Sequence, residues 1–180
     1  MDEIASQLSV SKKTIYQYFS DKDELVEAII KEIMTDTTAR CEHTEFTSKN
    51  AVHELFQVMD FIQEIFAEMN SAMMFDLERF HSQAFKTFLD FKNKYLYQKI
   101  RDNLKRGIEE ELFRPDINVD LMAKLRLEGM MIAFNQDVFP SAKFNLGILH
   151  VAIIEHFLFG VASLKGYKLI LKYQQERLKS

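Results

Sequence analysis

The chain has 180 residues, of which 47% are hydrophobic and 28% charged, with a formal net charge of -4. That size allows one domain, or a small head on a larger body, with enough apolar material for a substantial core. The acidic balance excludes a global basic field, so any nucleic-acid contact has to come from a local pattern.

Two prolines and five glycines interrupt the chain rarely, and long runs of 3.6-residue period predict an all-α fold. The single cysteine, Cys41, excludes an intramolecular disulfide and suits a reducing compartment. The N-terminus lacks the basic-then-apolar pattern of a secretory leader. Phe144 to Leu164 is the most apolar stretch, but Asn145, His150, Glu155 and His156 interrupt it. A bilayer span needs ~20 nearly unbroken apolar residues, so this segment reads as a buried helix. A cytoplasmic protein without membrane contact is expected.

In chain order, the pattern predicts a short helix at 2–8, a turn at 9–11 and a second short helix at 12–19. Asp21-Lys22-Asp23-Glu24 opens a long helix to 43, with the Asp-x-x-Glu spacing of a capping box. Residues 45–50 are a polar break. Val52, Leu55, Met59, Ile62, Phe66 and Met69 then form a core stripe on a helix over 51–69. Asn70-Ser71 marks another break before a Met/Phe-rich helix ending near 80. A long helix over 82–112 follows, stopped by Arg114-Pro115-Asp116 because proline cannot continue it. Asn118 is positioned to cap a helix to 136, and a final pair over 146–164 and 167–179 is hinged near Gly166. Residues 1–43 are expected to form the head with its linking helix, and 44–180 a helical body for effector binding and dimerisation.

The head has the spacing of a helix-turn-helix. Ile4, Leu8, Val10, Ile15 and Tyr18 are the apolar positions, and Ala5 is the small residue where two steeply crossed helices nearly touch. Ser9 stands in the turn where backbone geometry favours positive φ, at a cost of roughly 1 kcal/mol for a non-glycine residue. Ser11 can cap the second helix, with Lys12 and Lys13 in its first turn, the part that reaches bases and phosphates. Thr14, Tyr16, Gln17 and Tyr18 add hydroxyl and amide groups. Lys22, beside the exposed amides of the next helix start, suits a phosphate.

The run IASQLSVSKKTIYQYFSDKDELV resembles the signature of TetR-family transcriptional regulators: Ile-Ala, a Ser-Lys-x-Thr-hydrophobic-Tyr-x-Tyr-Phe recognition helix, then Lys-x-x-Leu. The segment IRDNLKRGIEEELFRPDIN also resembles one common in that family's body, with Glu111 standing where glycine is frequent. The resemblance implies a homodimer whose two heads read the half-sites of a palindromic operator, released when a small molecule enters the body. Carried onto matching positions, Lys12, Lys13, Thr14, Tyr16, Gln17, Tyr18 and Lys22 would contact double-stranded DNA. Lys13 and Gln17 are the preferred base-edge candidates, because both can offer donors in the major groove. A unit of this kind is normally preceded by another helix, which this sequence does not show. The first helix is therefore expected to be absent, with Met1 internal to a longer protein or the start of a trimmed product, and weak DNA binding is expected.

Half of the 16 phenylalanines fall between Phe56 and Phe91, together with Met59, Met69, Met73 and Met74. Large rings leave irregular gaps that flexible thioethers fill or vacate, which suits a hydrophobic effector pocket. The expected lining is Phe56, Met59, Phe66, Met69, Met73, Phe80, Phe85 and Phe88, with His81 or Tyr95 for polar recognition. Few charges face it by pattern, so a neutral or largely apolar ligand is expected. The segment around Ile148, Val151, Ile154, Phe157, Leu158 and Val161 has almost no polar face and must be covered all round. A second copy over its outer side, also using Met122 and Leu125, is the expected cover, the alternative being a central core helix within one chain.

The sequence carries no His-Glu-x-x-His, paired-cysteine, Gly-rich phosphate-loop or nucleophile motif, so neither catalysis nor a cofactor or metal is expected. Two other readings share the same body: a dimeric ligand-binding module without DNA binding, and a helical-bundle enzyme. The enzyme would not need Lys12-Lys13-Thr14 followed by Tyr16, whereas the expected absence of the first helix favours the module.

Overall fold

A computed structural model describes residues 1–178 apart from 68, 70 and 71. The expected break at Asn70-Ser71, and Lys179 at the end of the last expected helix, lie outside the described residues. Those residues form an all-helical protein: α1 (Asp2–Gln7), α2 (Lys12–Tyr16), α3 (Lys22–Thr47), α4 (Ala51–Ala67), α5 (Met73–Phe80), α6 (Ser82–Phe91), a π-helical turn (Lys92–Leu96), α7 (Tyr97–Glu109), α8 (Val119–Ile132), α9 (Leu146–Val161) and α10 (Leu164–Arg177).

Side-chain caps explain several of the starts. Ser11, Asp21, Asn118, Asn145 and Ser163 each present a side-chain oxygen to a backbone N–H in the first turn of α2, α3, α8, α9 and α10. At α3 the pattern is reciprocal: Asp21 accepts from the Glu24 N–H at 2.8 Å, and Glu24 accepts from the Ser20 N–H at 2.6 Å.

Several helix bounds differ from expectation. Helix α3 runs to Thr47, so the boundary drawn at 43–44 falls inside a continuous helix. Helix α7 stops before the proline: Glu111 adopts φ 59, and the N–H groups of Leu112 and Phe113 turn back onto the Gly107 carbonyl at 2.8 and 2.9 Å. The left-handed residue, not Pro115, ends the helix. The α9–α10 break lies at Ala162–Ser163, whereas Gly166 sits inside α10. A Cβ on Gly166 would run into the Leu112 carbonyl oxygen, so glycine allows a close approach there rather than a hinge.

Helix α4 is the central element. One side packs on α9 and α10 around Val52, Phe56, Met59, Leu158 and Ile170, and the other faces α3. A second apolar cluster joins Ile30 of α3 to Met74, Leu77, Ala84, Phe134 and Leu146. No described helix is long and apolar enough to cross a membrane.

Candidate nucleic-acid interface and internal cavity

In the head, Ala5 and Ile15 are each 6% exposed and form the contact between α1 and α2. Ser9 takes φ 54 in the turn, as the spacing requires. Three residues expected to pack do not: Leu8 is 64% exposed, Val10 40% and Tyr18 74%, because no described element covers them. Helix α2 is shorter than expected, ending at Tyr16. Gln17, Tyr18 and Phe19 continue as tight turns onto the Thr14 and Ile15 carbonyls.

This arrangement leaves Lys13, Tyr16, Gln17, Tyr18 and Lys22 exposed on one end of the molecule. Thr14 is half-buried, its hydroxyl 2.7 Å from Ser11 Oγ. Lys12 is already engaged, with Nζ 3.0 Å from Asp2 Oδ1. That contact holds the Asp2 carboxyl below, and the Lys12 ammonium above, their usual ranges. Beside Lys22, Asp21 occupies an amide at the start of α3 and Glu24 adds a second carboxylate. A phosphate at that helix start would have to displace acidic groups.

A cavity of about 180 Å³ lies inside the body, between α3, α4, α5, α6, α7, α8 and α9. Of the expected lining, Phe66, Met69, Met73 and Phe88 face it. The others lie elsewhere, each for a visible reason. Phe56 and Met59 are on the opposite face of α4, within the main core, and the Phe56 ring is 5.5 Å from that of Tyr173. Phe80 is 61% exposed under Arg79. Phe85 packs in the second cluster without reaching the cavity. His81 points instead to Asp23, Nδ1 to Oδ1 at 2.5 Å.

Tyr95 is displaced by the π-helical turn. An α-helix would carry the inward stripe from Phe91 to Tyr95, but the extra residue in the turn moves it to Leu96, then Lys99, Ile100 and Asn103. Tyr95 stacks on Phe91 with ring centroids 5.1 Å apart and donates to the Thr38 carbonyl at 3.3 Å.

The sequence also hides a polar group at one end of the cavity, made of Cys41, Thr44, Glu54, Lys99, Asn103 and Arg126. Each lies one turn from apolar neighbours on its own helix, so the hydrophobic pattern alone gives no signal. Burial pushes the Cys41 thiol up to about 11 and raises the Glu54 carboxyl, against the pull of Asn103 and Arg106. Burial likewise lowers Arg126 to about 10. His150, 1% exposed, lies between the carbonyls of Leu146 and Met130 at 2.9 and 3.1 Å; burial lowers its pKa despite both contacts.

Of the residues expected at an interface between copies, Ile154, Phe157, Leu158 and Val161 are buried within this one chain, and Met122 and Val151 are half-buried. Helix α9 is already covered on most sides by α4 and α8. Ile148 and Leu125 stay open at 64% and 59%, next to exposed Leu121 and Ile132 on α8. Among the described residues, no group of three or more His, Cys, Asp or Glu side chains could hold a metal ion.

Residues 1–29 match the family model of bacterial regulatory proteins, tetR family. Over 164 residues the chain is 23% identical to the uncharacterized HTH-type transcriptional regulator YvaF of Bacillus subtilis (strain 168), covering 91% of this chain and 85% of that protein. Its fold is similar to that of the ketosteroid transcriptional regulator KstR2 of Mycobacterium tuberculosis, with TM-score 0.65, 22% identity and coverage of 89% and 83% of the two chains. It also resembles a TetR-family regulator from Agrobacterium tumefaciens, at TM-score 0.73, 12% identity and coverage of 90% and 86%.

Proposed function

We infer that this chain is a transcriptional regulator of the tetR family, a DNA-binding repressor whose hold on its operator is set by a small molecule in the body. The observation that carries this reading is the course of α3. Its first turn follows the Lys12–Tyr18 segment, and Ile30, Ile33, Met34, Thr37, Cys41 and Thr44 further along it wall the cavity. One helix of 26 residues therefore belongs to both sites. A ligand that moves those side chains tilts the element that aims the head, as a two-state coupling requires.

In this reading Lys13 and Gln17 approach base edges, while Lys12, Thr14, Tyr16, Tyr18 and Lys22 hold the backbone. The effector is small and largely apolar, because aliphatic and aromatic side chains make up most of the lining. Two copies meet through the exposed apolar residues of α8 and α9, so that two heads face the half-sites of a palindrome. The protein works by binding rather than catalysis, in the cytoplasm.

The experiment is a titration of labelled duplex from upstream of the chain's own gene, at several salt concentrations. Binding that prefers this duplex and weakens with salt supports the reading. Equal affinity for a shuffled duplex contradicts it.

A further inference from the structure

Three ionised groups reach the cavity wall, and two of them have partners. Lys99 Nζ is 2.6 Å from Glu45 Oε2, and Glu54 Oε2 is 3.3 Å from Arg106 Nη1. The third is Arg126. Among the described residues no hydrogen bond or ion pair ends on its guanidinium; its neighbour is the Phe157 ring, with the centroid 5.5 Å from Cζ. The side chain keeps some accessible surface, and the residue lines the cavity.

The charges nearby do not compensate it. Glu54 acts on Arg126 from longer range and is itself paired with Arg106. The Cys41 thiol, pushed up to about 11, is neutral at physiological pH. Arg126, even lowered to about 10, remains protonated. A desolvated guanidinium without a counter-ion is among the least favourable groups a protein interior holds, and a ligand can supply the missing charge. Its planar donors match a carboxylate in two parallel hydrogen bonds.

We propose that the ligand of this cavity is a compact amphipathic carboxylate, its carboxylate paired with Arg126 and its apolar body lying against Phe61, Ile62, Phe66 and Met34. The proposal rests on the reading of the cavity as the effector site and names the chemical class of that effector. Volume limits its size: the cavity holds about 180 Å³, and a hydrophobic cavity of ~150 Å³ accepts benzene. An apolar body of about six to eight carbons follows, with Met69, Met73, Met74 and Met130 able to shift for a somewhat larger one. Polarity sets its direction. The carboxylate sits near the α3–α4 turn, where Asn103 donates to the Ala51 carbonyl, and the tail points toward Ile30 and the head.

The test compares sodium octanoate with octanamide, its neutral isostere, by calorimetric titration and thermal melting of the full chain. Octanoate is expected to bind at least about tenfold more tightly than octanamide. In Arg126→Met that preference disappears, while the ligand-free variant melts no lower than the wild type, because an unpaired buried charge has been removed. Arg126→Gln provides a second neutral variant, and the wild-type comparison stands without either. Equal binding of the two compounds by the wild type, or a preference that survives Arg126→Met, overturns the carboxylate proposal and leaves the cavity as a ligand site. Failure of both compounds to bind overturns the proposal together with the cavity reading. Octanoate that binds through Arg126 without changing DNA affinity supports the carboxylate site and refutes its regulatory role.

Discussion

Asp23 Oδ1 lies 2.5 Å from His81 Nδ1, so the first turn of α3 is tied to the junction between α5 and α6. The two residues are 58 positions apart in sequence. Met73 and Met74 of α5 and Phe88 of α6 line the cavity, on the segments that meet at His81. The pair is therefore a second link between cavity and head, alongside α3 itself. The Asp23 side chain is largely exposed and that of His81 mostly buried, so water screens the pair and its worth to stability is small.

Replacing His81 by alanine should separate coupling from stability. His81→Ala is expected to change unfolding free energy by less than about 1 kcal/mol. Ligand-induced loss of DNA affinity should shrink several-fold, since such coupling is typically worth ~1–3 kcal/mol. DNA titrations with and without ligand, beside thermal melts, check both parts. An unchanged ligand response would show that α3 alone carries the signal.

The contact between Asp2 and Lys12 predicts that the head is partly self-neutralised. Asp2→Asn should free Lys12 and raise DNA affinity, whereas Lys22→Ala should lower it. Loss of one phosphate contact reduces the slope of log affinity against log salt by about one. The two variants should thus move in opposite directions in the same salt series.

Leu125 and Ile148 are exposed and apolar, while Leu158 is fully buried. Leu125→Glu and Ile148→Glu are expected to produce folded monomers, seen by light scattering after gel filtration. Leu158→Ala should instead destabilise each subunit by about 2–5 kcal/mol, the usual cost of an unfilled core position. Folded dimers of Leu125→Glu would remove this face from the assembly.

Cys41 offers a pH measurement. With the thiol pushed up to about 11 in the folded chain, its reaction with a disulfide reagent should be far slower than in the unfolded chain at pH 8, and should rise about tenfold per pH unit. The folded state holds this proton more tightly than the unfolded one. Its contribution to stability is therefore present below the unfolded thiol pKa and is lost as pH rises toward 11. Labelling rates from pH 7 to 9.5 check the direction, and a bound effector should slow them further.

How much of this is legible in the sequence depends on what sets each feature. Helix starts were readable, because Ser11, Asp21 and Asn118 are short polar side chains acting on their own first turn. The turn at Ser9 was readable from spacing alone. The end of α7 was not: Pro115 was the louder signal, while a left-handed glutamate at 111 depends on Phe113 packing over Gly107, where a Cβ would meet the ring. The cavity was only half legible. Phe and Met enrichment located the region, but the π turn shifted the inward stripe from Tyr95 to Leu96 and exposed Lys99 and Asn103 to it. Arg126 was invisible, since a lone arginine in an amphipathic helix normally marks the solvent side. Helix α9 is apolar enough to suggest a second copy over its outer side, and within the chain α4 covers Ile154, Phe157, Leu158 and Val161.

The most direct test of the account is fluorescence anisotropy of a labelled duplex from upstream of the gene, titrated with the chain between 50 and 200 mM salt beside a shuffled duplex of equal length. Binding to the native duplex should be tighter and should fall steeply with salt as phosphate contacts are lost. Indistinguishable binding to the two duplexes at every salt concentration would contradict it.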